Sequence, residues 1–143
     1  MGYPLVDEHS TIDLDPADDL WSSGDHDPRA PFGLPQAAHG SELSVHQPRA
    51  DGICRVTNPR RGLGLSIGFD TTTLPYLQLL RLRGAGTYMI GVEPCTAAQR
   101  SRNSAKEAGQ MPFLAPGQSR DYALDIDVTR FTPDLENEPT PCA

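Results

Sequence analysis

The clearest pattern of alternating positions lies in Thr87–Pro94, where apolar side chains recur with a period of two. One face carries the bulky residues Tyr88, Ile90 and Val92 and should pack against a core. The other face carries Met89, Gly91 and Glu93, so bare backbone lies beside a carboxylate where a flat ligand can approach. Because Pro94 cannot donate to a sheet ladder, we expect the strand to stop just after Glu93.

Several other stretches have strand patterns, and together they predict about six strands in the second half of the chain. They are Gly52–Thr57, Leu63–Phe69, Tyr76–Leu82, Gln110–Leu114 and Ser119–Phe131. Tyr76–Leu82 by itself fits a helix or a strand, and the Gly84-Ala85-Gly86 turn favours a strand. A short helix is predicted over Ser104–Ala108. The absence of a βαβ rhythm predicts an all-β fold, an antiparallel β-sandwich.

The first 50 residues have a different character, rich in Pro, Asp, Gly, Ser and His. We expect residues 1–50 to form an irregular, loop-rich segment, with one helical turn at Asp18–Trp21. The long loop after Trp21 either wraps over another surface, or the surface that it would cover is missing from this chain. Residues 51–131 are expected to form the sheet region, and residues 132–143 a flexible acidic tail.

Composition narrows the possible partners. The chain of 143 residues is long enough for one domain with a core, and its formal charge of −7 argues against a nucleic-acid partner. No apolar run is long enough for a membrane span, and the N-terminus lacks the features of a signal peptide. The three cysteines are far apart and lack C-x-x-C spacing, which predicts reduced thiols in a cytoplasmic protein rather than a zinc site or a disulfide framework. No cofactor is expected.

An ordered set of short motifs is similar to a known family. It comprises Leu74-Pro75-Tyr76, the run from Gly84 to Thr96 that contains Gly91-x-Glu93-Pro94, and Leu114-x-Pro116-Gly117-x-Ser119-Arg120-x-Tyr122. This set resembles the C-terminal part of the aldose 1-epimerase (galactose mutarotase-like) superfamily, and most closely its branch called domain of unknown function 4432. The resemblance implies part of a β-supersandwich that binds a small-molecule sugar in a cleft on one sheet.

The resemblance also implies a reaction, the interconversion of sugar anomers by an isomerase. Glu93 matches the general base that takes the proton from the anomeric hydroxyl, and a histidine acts as the acid on the ring oxygen. We expect Tyr76, Gln78, Gly91 and Arg102 to contact the sugar. The basic residues of the predicted helix otherwise form a solvated surface, but an arginine from this segment can fold back onto Glu93. From the pattern alone, a glutamate at a strand end is more often a solvated charge.

The sequence departs from the family pattern in two respects, and these change the function that we expect. Members are about twice as long as this chain, and their acid histidine precedes the Gly-Tyr-Pro segment, where Met1 stands here. None of the four histidines of this chain occupies that place; they are His9, His26, His39 and His46. The chain therefore looks like a C-terminal half. It is either an epimerase-like enzyme or a non-catalytic sugar-binding or remnant β-domain, and a missing N-terminal half is a possible partner.

Overall fold

Within the part of the chain that the structure describes, the strands form two antiparallel sheets of four strands each. The computed structural model describes residues 6–14, 18–23, 26–35, 37, 40–98 and 101–133. One sheet, called the β8 sheet, has the order β1 (Thr11–Asp13), β4 (Ile53–Asn58), β5 (Leu63–Phe69) and β8 (Leu124–Arg130). The other, called the β7 sheet, has the order β2 (Asp18–Ser22), β3 (Ser41–Gln47), β6 (Tyr76–Gly84) and β7 (Thr87–Cys95). The predicted all-β sandwich is thus confirmed.

The hydrophobic core lies between the two sheets. Its buried side chains come from both of them and from the loops; they are Ile12, Leu14, Phe32, Cys54, Val56, Phe69, Leu74, Leu77 and Leu79. Tyr88, Ile90 and Val92 pack against this cluster, as the alternation of the β7 stretch predicts. The opposite face of β7 therefore points away from the core, and this face carries the candidate site.

The β6–β7 hairpin fixes the position of that face. Its strands are joined by a tight turn in which Gly86 has a positive φ of 83°, a conformation that favours glycine. The register pairs Gln78 with Glu93 and Leu80 with Gly91. Since β7 is an edge strand, Pro94 continues the strand to Cys95 without costing a ladder bond to a further neighbour. The expected stop after Glu93 was wrong for this reason.

A buried arginine holds the long N-terminal loop against the core face of the β7 sheet. Arg81 on β6 is 2% exposed, and its guanidinium donates to the main-chain carbonyls of Asp27, Pro28 and Pro31. The same guanidinium lies 4.5 Å from the ring centroid of the buried Phe32. The loop therefore does wrap over another surface, one supplied by this chain.

The remaining elements differ from the sequence predictions in several places. Asp18–Trp21 lies in strand β2 rather than in a helical turn, because it pairs with β3. Gln110–Leu114 is not a strand, and β8 begins only at Leu124, so the described part of residues 51–131 has five strands. The predicted helix is confirmed as α1 (Arg102–Glu107). The tail prediction for 132–143 falls largely outside the described residues.

Candidate functional site

Four side chains form a row across the outer face of the β7 sheet. Successive strand pairings join Trp21 to Val45, Val45 to Gln78 and Gln78 to Glu93. Directly paired residues of an antiparallel sheet place their side chains on the same face, so all four point away from the core. The row runs from an aromatic ring on β2 to a carboxylate on the edge strand β7.

The carboxylate of Glu93 is held in place by its neighbours. Gln78 Nε2 donates to Glu93 Oε2 at 2.7 Å, and Glu93 is half-buried. A Cβ added to Gly91 would lie 2.6 Å from Glu93 Oε1, so the carboxylate occupies the space that a side chain at 91 would fill. The glycine and the glutamine together orient the acid along the face of the sheet. One carboxylate oxygen thereby has a protein donor at an ordinary hydrogen-bond distance.

The other predicted site residues lie at different distances from this centre. Tyr76 is half-buried at the start of β6 and shares the outer face with Gln78, since the two are separated by two positions. Arg102 is the exposed first residue of α1. Within the described residues, no hydrogen bond or ion pair joins Arg102 to Glu93. Tyr88 faces the core, and its hydroxyl donates to Gly33 O.

The segment that follows β7 covers one end of the outer face. Trp21 Nε1 donates to Ala98 O at 2.6 Å, and Gln110 Oε1 accepts from Ala98 N. Ala98 and Ala105 are buried, and Val45 is 1% exposed although it points away from the core. Ser101 begins α1 with a capping box that it forms with Ser104, which fixes this short helix. The face is therefore closed over Trp21 and Val45.

The only thiol near Glu93 is poorly suited to act as a nucleophile, as far as the described residues go. Cys95 lies on the same strand two positions on, and burial raises the pKa of its thiol. Its Sγ donates to Ala97 O at 3.4 Å. A thiol nucleophile at this position would need a lowered pKa, so Glu93 is the better candidate for chemistry at this end of the sheet.

A second polar cluster lies on the core face of the same sheet. His46 Nδ1 is 2.7 Å from Asp19 Oδ1, and His46 Nε2 is 2.8 Å from Ser44 Oγ. The order resembles a Ser-His-Asp triad, but Arg29 donates two bonds to the carboxylate of Asp19, and Ser44 is 1% exposed. A carboxylate already neutralised by an arginine supports a histidine poorly, and a buried hydroxyl is poorly accessible to substrate. The cluster holds β2 against β3 beside a cavity of about 210 Å³.

The described histidines lie away from Glu93. His46 and His26 line the 210 Å³ cavity on the core side, and His9 Nε2 lies 2.9 Å from Arg60 Nη1. His39 falls outside the described residues. Among the residues that the structure describes, no group of three or more His, Cys, Asp or Glu side chains is placed to hold a metal ion.

Comparison with protein families gives one match. The model of a family described as Domain of unknown function (DUF4432) matches residues 1–128. The chain belongs to this family. No curated protein and no solved structure matches it. None of the helices in the described ranges has the length and apolar character needed to cross a lipid bilayer.

Sequence reasoning missed Trp21 as a member of the outer face. Its position was assigned to a helical turn, and a helix would have separated it from Gln78 and Glu93. The available signal was the single tryptophan of the chain, which follows Leu20 between polar residues. A β-bulge at Leu20 also hides the period of β2, because the pairing shifts between Asp19 and Trp21.

Proposed function

We propose that the protein binds a small sugar against the outer face of the β7 sheet and interconverts its anomers, with Glu93 as the general base. The observation that carries the proposal is the fixed carboxylate: Gln78 Nε2 donates to one oxygen at 2.7 Å, and Gly91 leaves the space that the carboxylate fills. A base acts efficiently only when it is held in one orientation toward the proton that it takes. The similarity of the Gly91-x-Glu93-Pro94 motif to the aldose 1-epimerase superfamily supports the same assignment.

The surroundings of the carboxylate suit a sugar. Tyr76 adds an aromatic ring to the same face, and Gln78 has a second amide proton and a carbonyl oxygen with which to meet hydroxyl groups. The bare backbone at Gly91 lets a flat ring approach the sheet closely. Glu93 would take the proton of the anomeric hydroxyl, after which the ring oxygen needs a proton to complete ring opening.

The described residues include no histidine near Glu93 that could donate this proton to the ring oxygen. A second candidate function follows from this observation: a sugar-binding β-domain without turnover, which works together with a separate N-terminal half. The two candidates share the binding site and differ only in whether the proton is delivered to the ring oxygen.

Polarimetry of freshly dissolved α-hexoses tests the first candidate. We expect the chain to speed mutarotation above the spontaneous rate and Glu93→Gln to remove the increase. Glu107→Gln, on the exposed last turn of α1, is the matched control and should leave the rate unchanged. Equal rates for the wild type and Glu93→Gln would remove Glu93 from the mechanism.

Calorimetric titration with the same sugars distinguishes the second candidate. Binding that is weakened by Gln78→Leu, in a protein that does not change the mutarotation rate, would support a binding domain. Absence of both binding and rate enhancement would overturn both candidates.

A further inference from the structure

An apolar strand face is left uncovered at the edge of the β8 sheet. Leu124, Ile126 and Val128 are 53%, 63% and 73% exposed, although they lie on the same face as Leu65 and Ile67 of the neighbouring strand. Apolar side chains in such a row are normally buried, and an exposed contiguous patch marks an interaction surface. The alternation of apolar and polar residues in β8 is typical of a strand with one buried face, but none of the described residues packs over the apolar face of β8.

The main-chain groups of β8 that point away from β5 belong to the same apolar residues. Phe131 N donates to Gly62 O at 2.9 Å, which shows that the main-chain groups of Phe131 point toward β5. Because this direction alternates along an antiparallel strand, the N–H and C=O groups of Ile126 and Val128 point away from β5. The edge therefore offers hydrogen-bonding groups and apolar side chains from the same positions, as an added strand requires.

The opposite face of β8 is acidic. Asp125 and Asp127 border a groove of about 590 Å³ whose floor includes Ser66 and Gly68, and Asp51, Arg55 and Asp70 line the same groove. Asp51 is paired with Arg49, and the Arg55 guanidinium lies 3.7 Å from Asp13, so the acids of β8 itself carry the charge of this face. Within the described residues, neither Asp125 nor Asp127 has an ion-pair partner. An occupant of this edge would therefore gain from basic side chains on the groove side and from apolar ones on the other.

We infer that β8 is the docking edge for an extended protein segment in which apolar and basic residues alternate. A second copy of this chain fits less well, because antiparallel pairing of two β8 strands about Asp127 would set this acid against its own copy. The chain's own residues after 133 include Asp134, Glu136 and Glu138, which have the wrong charge. This inference concerns the β8 sheet and is independent of the proposed sugar site on the β7 sheet.

Synthetic peptides test the inference by fluorescence anisotropy. A peptide of alternating Val and Lys, as long as β8, should bind and lose affinity as salt is added. A peptide of the same composition with all Val residues before all Lys residues should bind much more weakly, because it cannot present one residue type to each face. Equal binding of the two peptides would overturn the inference, since no strand pairing would then be needed.

Variants of β8 locate the binding. Val128→Pro removes an outward N–H without breaking the ladder to β5 and should weaken binding about tenfold. Asp127→Lys should favour a Val–Glu peptide over the Val–Lys peptide, whereas Glu107→Lys on α1, which makes the same change of charge elsewhere, should not. Circular dichroism confirms that each variant is folded. Unchanged affinity of Val128→Pro would overturn the inference.

Sedimentation velocity checks the alternative occupant. We expect the protein to remain monomeric at the concentrations used for peptide binding. A dimer that dissociates in Val128→Pro would show that a second copy occupies the edge and would overturn the basic-segment inference.

Discussion

The carboxylate of Glu93 lies where the side chain of any residue other than glycine at position 91 would begin. A Cβ at this position would stand 2.6 Å from Glu93 Oε1 and 3.5 Å from Leu80 Cβ. An added side chain at position 91 would therefore clash first with the carboxylate end of Glu93, which can move, rather than with the backbone. Gly91 matters for where the acid points more than for how the sheet folds.

Gly91→Ala should move the carboxylate while leaving the fold intact. We expect the free energy of unfolding to change by less than about 1 kcal/mol, because an alanine is acceptable in a strand and only a side-chain end must shift. Sugar affinity and any mutarotation rate should fall. Urea unfolding together with sugar titration measures both; Gly40→Ala, at a position with open space, is the control. A large loss of stability with unchanged affinity would contradict the expectation.

Gln78→Glu should make the site pH-sensitive. Two carboxylates at hydrogen-bond distance cannot both ionise easily, so the pair should titrate at a pKa above the ordinary range for glutamate. A pKa raised in the folded state stabilises the protein at low pH, and this stability is lost as pH rises through the raised value. Melting temperatures at pH 5 and pH 8 measure the effect. The effect is taken relative to the wild type at each pH, because His46 gives every variant a pH dependence of its own. Gln78→Leu, which adds no titrating group, should keep the pH dependence of the wild type.

Arg81→Met should destabilise the protein strongly. The guanidinium is 2% exposed and donates to three loop carbonyls, which the methionine would leave buried without this donor. We expect a loss of about 3 kcal/mol in the free energy of unfolding and faster proteolysis within residues 26–35. Arg120→Met, at an exposed position, should change stability by less than about 0.5 kcal/mol. Comparable losses in both variants would argue against the role of Arg81.

His46 should make the fold less stable in weak acid. Burial lowers the pKa of its imidazole below the ordinary value of 6.5, despite the opposing effect of Asp19; Arg29 and His26 also lower it. The unfolded chain therefore takes up the proton first as pH falls, so the stabilisation present above pH 6.5 is lost progressively below it.

Unfolding measured between pH 7.5 and pH 5 checks this expectation. His46→Gln should reduce the slope of the free energy of unfolding against pH in that window. His9→Gln, at a more exposed histidine, should leave this slope unchanged. Asp19 changes the free energy of unfolding only at lower pH. Its hydrogen bond with Arg29, and to a smaller extent the one with His46, keeps the pKa of its carboxyl below the ordinary value.

Cys54 should resist alkylation in the folded protein. Burial raises the pKa of its thiol to about 12, so at pH 8 only about one molecule in ten thousand carries the thiolate. Iodoacetamide followed by peptide mass spectrometry should label Cys54 only after denaturant is added. Cys95, which is half-buried, provides the internal comparison and should react sooner. Rapid labelling of Cys54 in native buffer would show that this part of the core opens readily.

The sequence predicted best those strands whose inward face is apolar. Leu63–Phe69 matches β5 in full, and the two faces of β7 are assigned correctly, because hydrophobic alternation reports burial directly. Strand β3 was missed because two of its three buried side chains, Ser44 and His46, are polar and form hydrogen bonds with each other and with Asp19. A pattern of hydrophobicity cannot reveal burial that depends on hydrogen bonds between distant residues.

The candidate site was likewise predicted in part. Pairing across the β6–β7 hairpin brings Tyr76, Gln78, Gly91 and Glu93 to one face. Alternation within Thr87–Pro94 predicted that Gly91 and Glu93 share this face, whereas Tyr76 and Gln78 were expected at the site from the family resemblance. Trp21 joins the same face only through a bulged strand far away in sequence. The predicted meeting of Arg102 with Glu93 depends on the path of the chain after β7, which no local periodicity specifies; it stays a prediction.

Arg81 recognises the N-terminal loop through main-chain oxygens, which every residue type possesses. The side chains at 27, 28 and 31 are therefore free to drift during evolution, provided that the backbone can follow the same path. The arginine itself has no such freedom, since its three acceptors are set in space and lysine would present a single point of charge. A saturation library at positions 27, 28 and 31 should accordingly tolerate most replacements, while one at position 81 should retain almost none.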